Sequence, residues 1–294
     1  LRARTTHRQT RATKNNPKGT PMKLYISSDQ EGVSGIATRS RDHVDQQENK
    51  RLQTMEMVAL CEAILGYKRD AEVVINDSHG KGLNIDFEKL PPQVDLIRQT
   101  PEILDQMYGI NETYDGFMFF AHAMRAELGA CLSHVWEVQD VKINGKRLGE
   151  AGLAAYYAAS YGVPFVYASG DDYYYKEVME LSPKTEVSVV KYGMGRYVAR
   201  NKHPVTARRI ISQDVIKALK RLEKGEITPV ELPDPPYRLE MRFSDTGAAD
   251  AACWMPGTQR IDGRTTLFEA DDVQTVYKAF YCQTRLQRTR LIHP

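Results

Sequence analysis

Residues 22–32 read Met22-Lys23-Leu24-Tyr25-Ile26-Ser27-Ser28-Asp29-Gln30-Glu31-Gly32, a short β-rich run that closes on two carboxylates. Leu24 to Ser28 has the composition of a strand. Beyond it, Gln47 to Lys68 carries Leu52, Met55, Val58, Ala59, Ala63 and Leu65 at roughly helical spacing, and Ala71 to Ile75 returns to strand composition. Strand, helix and strand in succession make a βαβ unit, so the fold class is α/β with a largely parallel sheet.

The same alternation continues along the chain. Val94 to Ile97, Gly116 to Phe120 and Pro164 to Ala168 read as strands, and Asn144-Gly145 marks a hairpin because this dipeptide favours tight primed turns. A helix opens near Glu150 and runs through Tyr157, and another spans Val205 to Leu222. After the proline-rich stretch Pro229 to Pro236 come a strand over Tyr237 to Phe243, a helix near Ala248, a strand near Thr265 and a final helix after Asp271. The expected architecture is a three-layer αβα body over residues 22–200, which carries the chemistry, and a smaller α+β C-terminal portion over 201–294.

The chain has 294 residues, enough to bury a substantial core as one domain or two, and its 27% charged and 41% hydrophobic fractions are ordinary for a globular protein. Residues 1–21 hold Arg2, Arg4, Arg8, Arg11, Lys14 and Lys18 and no acid. Removing those six from the 40 basic residues leaves 34 against 38 acidic ones, and a mildly acidic body has no basic footprint for nucleic acid. The 1–21 segment reads as a disordered leader. It lacks the apolar run of a secretory signal, and a transit peptide fits less well because there is no apolar face. No stretch approaches the roughly 18 apolar residues that span a membrane. Cys61, Cys131, Cys253 and Cys282 lie far apart with no CxxC pair, which argues against a zinc ribbon or redox motif and points to reduced thiols in the cytoplasm.

Open α/β sheets bind ligands outside the carboxyl ends of their strands, and four polar motifs fall there. Asp29 and Glu31 close the first strand and face one side if the chain stays extended. Asn76-Asp77-Ser78-His79 follows the second strand, Ala121-His122-Ala123 follows the apolar run Phe117 to Phe120, and Gly149-Glu150 opens a helix where a carboxylate is favoured by the dipole. Each has an ordinary structural reading on its own: a turn aspartate, a hydrogen-bonded histidine, a helix-capping glutamate. Together they supply three carboxylates and two imidazoles.

These blocks, with Arg125, Ser133-His134 and Met255-Pro256-Gly257-Thr258 in the same order, resemble DppA-type D-aminopeptidases (peptidase family M55) from Met22 to about Tyr281. The resemblance implies two zinc ions per chain, with Asp29 shared, Glu31 and His122 on one ion and His79 and Glu150 on the other. It further implies that His134 is the catalytic nucleophile, that short peptides with an N-terminal D-residue are the substrates, and that the chain assembles as a homodecamer around an internal chamber. Charge arithmetic agrees, since three clustered carboxylates repel unless a cation compensates. Two zinc ions bring four positive charges against three negative, a surplus suited to activating water and polarising a peptide carbonyl. The residues by themselves specify a metal-assisted hydrolase. An L- or glycine-directed aminopeptidase, an amidase on the same site and a non-catalytic peptide-binding protein stay open at this point.

Other motifs have plainer readings. Gly193-Met194-Gly195 is too short for a phosphate loop and reads as a turn. Asp171-Asp172 either lines the pocket or caps the next helix. Tyr173, Tyr174 and Tyr175 read as packing or interface residues, and Cys131 as a small buried hydrophobe.

Overall fold

The computed structural model describes residues 20–38, 43–98, 103–124 and 129–289. Most of the leader and Arg125 therefore lie outside the described residues. In chain order the first half contains β1 (Lys23–Ser28), α1 (His43–Tyr67), β2 (Glu72–Asp77), β3 (Val94–Arg98), β4 (Gly116–Phe120), β5 (Asp140–Ile143), β6 (Lys146–Arg147) and α2 (Glu150–Ser160). The second half contains β7 (Phe165–Asp171), α3 (Asp172–Leu181), β8 (Glu186–Gly195), β9 (Val198–Asn201) and α4 (Pro204–Glu223). It closes with β10 (Tyr237–Arg242), α5 (Thr246–Ala252), β11 (Gln259–Arg260), β12 (Thr265–Ala270) and α6 (Val273–Leu286).

Seven strands form one sheet in the order β3-β2-β1-β4-β7-β8-β9. All its pairings are parallel except β8 with β9 at the edge. The apolar runs expected of strands buried on both faces are there: every residue of β4 is buried, and β1 is buried from Leu24 to Ser28. On one face Leu24, Ile26, Val73, Ile75, Met118 and Phe120 pack under α1 and α4. On the other, Tyr25, Phe117, Phe119 and Phe165 join residues of α2, α3 and α6 in a larger, aromatic-rich core. The central sheet covered by helices on both faces is the expected αβα body.

A second, antiparallel sheet runs β11-β12-β10-β5-β6. Asn144 and Gly145 both take positive φ (51° and 80°), as a primed hairpin turn requires, and Asn144 is tied across to Arg238 N, which donates to its side chain at 2.7 Å. The sheets interleave along the chain. Strand β5, before residue 200, pairs with β10 and carries β6 on its other side, whereas α4, after residue 200, covers the first sheet.

Helix α1 forms where expected, and one local expectation, at residues 193–195, is corrected. The buried stripe of α1 runs through Gln53, Met57, Leu60, Cys61 and Ile64, and of the six apolar residues that suggested the helix only Leu52 is fully buried. The helix is rotated because its first turns also cover the loop after β1, where Gln53 donates to Ser28 and Glu56 accepts from Ser34 N at 3.0 Å. Residues 193–195, read as a turn, end β8 instead. Gly193 is pressed so closely to the 129–131 segment that a Cβ would lie 2.2 Å from the Gly129 carbonyl. Asp171 proves to be the cap of α3, accepting from Tyr173 N and Tyr174 N. No helix among the described residues is long and apolar enough to cross a membrane.

Candidate metal centre

In chain order the sheet grows from β1 through β2 to β3 and then reverses to place β4 on the other side of β1. That switch point opens a crevice at the carboxyl ends of β1 and β4. Asp29 and Glu31 follow β1, His79 follows β2 and His122 follows β4. Asp29 N donates to Phe120 O at 2.9 Å, which locks the two strand ends together. Gly32 makes that approach possible, since a Cβ there would sit 2.5 Å from Ala121 N. Glu150 enters as the first residue of α2.

The structure brings all five of these side chains, and His134, around one cavity. Asp29, Glu31, His122 and Glu150 are buried, whereas His79 and His134 keep some exposure. His79 Nδ1 lies 2.8 Å from Asp29 Oδ1 and 2.6 Å from Glu31 Oε2. His122 Nε2 lies 3.6 Å from both Asp29 Oδ2 and Glu150 Oε2. These contacts set His79 beside Glu31 and His122 beside Glu150, while ligand atoms of Asp29, Glu31 and His122 also lie within 4.8 Å of one another, the grouping that the resemblance implies.

His122 Nδ1 faces the Ala123 carbonyl at 3.2 Å. A carbonyl only accepts, so Nδ1 carries the hydrogen and Nε2 points between the two carboxylates, buried and without a hydrogen-bond partner. A buried nitrogen aimed between two acids at 3.6 Å is too distant to bond either and well placed to share a cation with both. The donors are all oxygen and nitrogen, as catalytic zinc takes, and they include no thiolate. The residues present fit a pair of divalent ions.

Burial and the neighbouring Glu31 charge push the Asp29 carboxyl up to about 7. Burial alone would lower His122, but the charges of Glu150, Asp29 and Glu31 outweigh it and hold the imidazole up to about 9. His79 is likewise held well above the imidazole range by Glu31 and Asp29 against its burial. Burial is also outweighed at Glu150, which His122 holds down to about 2, and at Glu31, which His79 keeps low. The raised groups, Asp29, His79 and His122, sit against the two carboxylates that stay low, Glu31 and Glu150.

His134 sits in the segment between β4 and β5. Its ring stacks on His122 with centroids 4.0 Å apart and planes 6° from parallel. Its Nδ1 donates to Leu132 O at 2.5 Å, which turns Nε2 toward Glu31 Oε1, 4.0 Å away. Nε2 also belongs, with His122 and Glu150, to a trio whose ligand atoms lie within 4.8 Å of one another, so His134 stands at the border of the metal shell. Leu132 and Trp136, on either side, are in the left-handed region at φ 54° and 47°, strain that the surroundings must hold.

Sequence reading missed several residues of this cavity, whose volume is about 700 Å³. Gln106 Nε2 donates to Glu150 Oε2, and Trp136 N donates to Glu150 Oε1 at 3.0 Å, fixing both oxygens of that carboxylate. Glu137 and Arg288 pair at 3.1 Å and line the cavity with Tyr197. Gln106 lies in a single 3-10 turn, Asp105–Met107, too short to show periodicity, and nothing in its neighbours signals the role.

The fold and the cavity together define an α/β enzyme of the metal-dependent hydrolase class. Its family is specific: the D-aminopeptidases of peptidase family M55 match residues 22–282, and the chain belongs to that family. It is 35% identical over 272 residues to a D-aminopeptidase of Bacillus subtilis (strain 168), an alignment covering 90% of this chain and 97% of the relative. Among solved structures it is similar to the Zn-dependent D-aminopeptidase DppA from Bacillus subtilis, described as a self-compartmentalizing protease. The TM-score is 0.86 at 31% identity, over 93% of this chain and 100% of the other.

Proposed function

We propose that the protein is a zinc-dependent aminopeptidase that removes an N-terminal D-residue from short peptides at a two-ion centre. The observation that carries the reading is the convergence of Asp29, Glu31, Glu150, His79 and His122, with His122 Nε2 aimed between two carboxylates. Asp29 would be the shared ligand, and Glu31, His79, His122 and Glu150 would complete the two ion positions. When bound, the metal pair supplies a Lewis acid for the scissile carbonyl and lowers the pKa of water.

The chain's own residues do the rest. Gln106 and the Trp136 backbone hold the Glu150 carboxylate in one orientation. The Leu132 carbonyl fixes the His134 tautomer so that Nε2 faces the cluster, where it attacks the carbonyl or carries a proton to the departing amine. A cavity of about 700 Å³ suits a short peptide, not a folded protein. Closed assembly and a cytoplasmic site of action belong to the same reading; exposed Met194, Trp254 and Ile261 offer apolar surface to bury between subunits, and all four cysteines are free.

Paired D- and L-dipeptides, incubated with the purified chain with and without a chelator, test this. Amino acid should be released from D-peptides in preference to L-peptides, stop with chelation and return with zinc. Faster release from L-peptides would overturn the D-assignment, and saturable binding without release would make the chain a peptide-binding protein.

A further inference from the structure

Strand β8 supplies no group to the metal cluster, yet it touches both loops that do. Its Lys191 is 1% exposed, and Nζ donates to three backbone carbonyls, those of Glu31 at 2.5 Å, Val33 at 3.1 Å and Ile36 at 2.6 Å. An ammonium has three donors, and here each has its own acceptor. All three acceptors belong to the turn that carries Glu31, and Ile36 from that turn lines the cavity. Removing an ammonium from water is costly, so its placement beneath a single turn reflects a demand that an apolar side chain could not meet.

Five residues further on, the turn into β9 grips the other loop. Arg196 O accepts from Leu132 N at 2.8 Å, and Arg196 Nη1 donates to Ser133 O at 2.8 Å. Gly195 N donates to Gly129 O at 3.1 Å. These bonds seize the two residues that precede His134, one of which, Leu132, is the left-handed residue whose carbonyl sets the His134 tautomer.

We propose that β8 and its turn into β9 form the positioning element of the active site: Lys191 fixes the Glu31 turn, and Arg196 fixes the His134 loop. The inference rests on the reading that Glu31 binds metal and His134 acts on the peptide. It separates two roles that activity alone would merge, since Lys191 acts on metal binding and Arg196 on the chemical step.

The test compares Lys191→Met, which keeps length without donors, and Arg196→Ala with the wild type. The readouts are zinc affinity by chelator competition, the visible spectrum of the cobalt-loaded protein, kcat, KM and Tm. K191M should bind zinc about 10- to 100-fold more weakly and change the cobalt spectrum, the usual consequence of losing a group that orients a ligand. R196A should keep wild-type zinc affinity and spectrum while kcat falls about 10-fold or more and KM moves by less than about two-fold. Folded K191M with wild-type affinity and spectrum, whatever its Tm, overturns the role of Lys191. If K191M does not accumulate as folded protein, R196A decides, because its side chain is exposed; a wild-type kcat there overturns the proposal. A wild-type chain that binds no zinc overturns the proposed function itself, which is a different result from a zinc enzyme indifferent to both variants.

Discussion

Loading the metal-free chain with zinc should release protons in a number set by the site. His79 is held protonated well above neutrality, His122 is held up to about 9, and Asp29 is raised to about 7. Glu31 and Glu150 are held low and are already ionised. Each protonated ligand must lose its proton to bind a cation. At pH 7 the two imidazoles give up about one proton each and Asp29 a fraction of one, so loading frees about two to three protons, more at lower pH and fewer at higher pH. Because metal and proton compete for the same atoms, apparent affinity increases with pH, by about two to three powers of ten per pH unit around neutrality and less steeply at higher pH. Isothermal titration calorimetry in buffers of different ionisation heat counts the protons directly. A count near zero, or an affinity unchanged between pH 6 and 8, would refute the assignment of His79 and His122 as ligands.

Two further outcomes follow from other parts of the structure. His134→Ala should lower turnover by about 10²- to 10⁴-fold with zinc content and Tm unchanged; loss of zinc would move His134 into the metal shell it borders, and ordinary turnover would remove it from the chemistry. Burial pushes the Glu56 carboxyl up to about 8 from an ordinary 4.5, against the Ser34 N–H and the Lys191 charge that lower it. The folded state thus keeps a proton that the unfolded chain has lost between those values, and this group's contribution to stability falls as pH rises across that window. Glu56→Gln removes the titration, so the variant's Tm relative to wild type should be higher at pH 8 than at pH 5, by an amount on the order of a few kcal/mol in stability. Equal differences at both pH values would show that Glu56 ionises freely.

The parts legible from sequence share a physical reason. Strands β1, β2 and β4 are buried on both faces, so each is an apolar run that ends abruptly where polar residues enter the crevice, and Asp29, His79 and His122 stand at those breaks. Gly116–Phe120 was bounded to the residue for this reason. Glu150 was legible because a carboxylate at a helix start is favoured by the backbone dipole. Long-range pairing left weaker traces. Nothing near Asn144 shows that its hairpin will join β10 more than ninety residues later, a separation fixed by the Arg238 N bond to Asn144 across 94 positions. Lys191 in the run Val187-Ser188-Val189-Val190-Lys191 reads as the polar end of a strand, since lysine is almost never fully buried without partners and its partners here are carbonyls some 155 to 160 residues away. The buried face of α1 is hidden for a related reason: Gln53 and Glu56 are buried because they bond the loop after β1, and a hydrophobic stripe cannot report that. Leu132 and Trp136 take left-handed conformations usually left to glycine, so the His134 loop carries no sequence signal of its shape.

The most direct test of the central claim is a count of zinc ions per chain at equilibrium in excess zinc, made on the wild type beside Asp29→Ala and Glu150→Ala. The wild type should hold two ions, Asp29→Ala should lose or scramble both, and Glu150→Ala should weaken mainly one. A wild-type chain that holds a single ion, or an Asp29→Ala chain that still holds two, would contradict it.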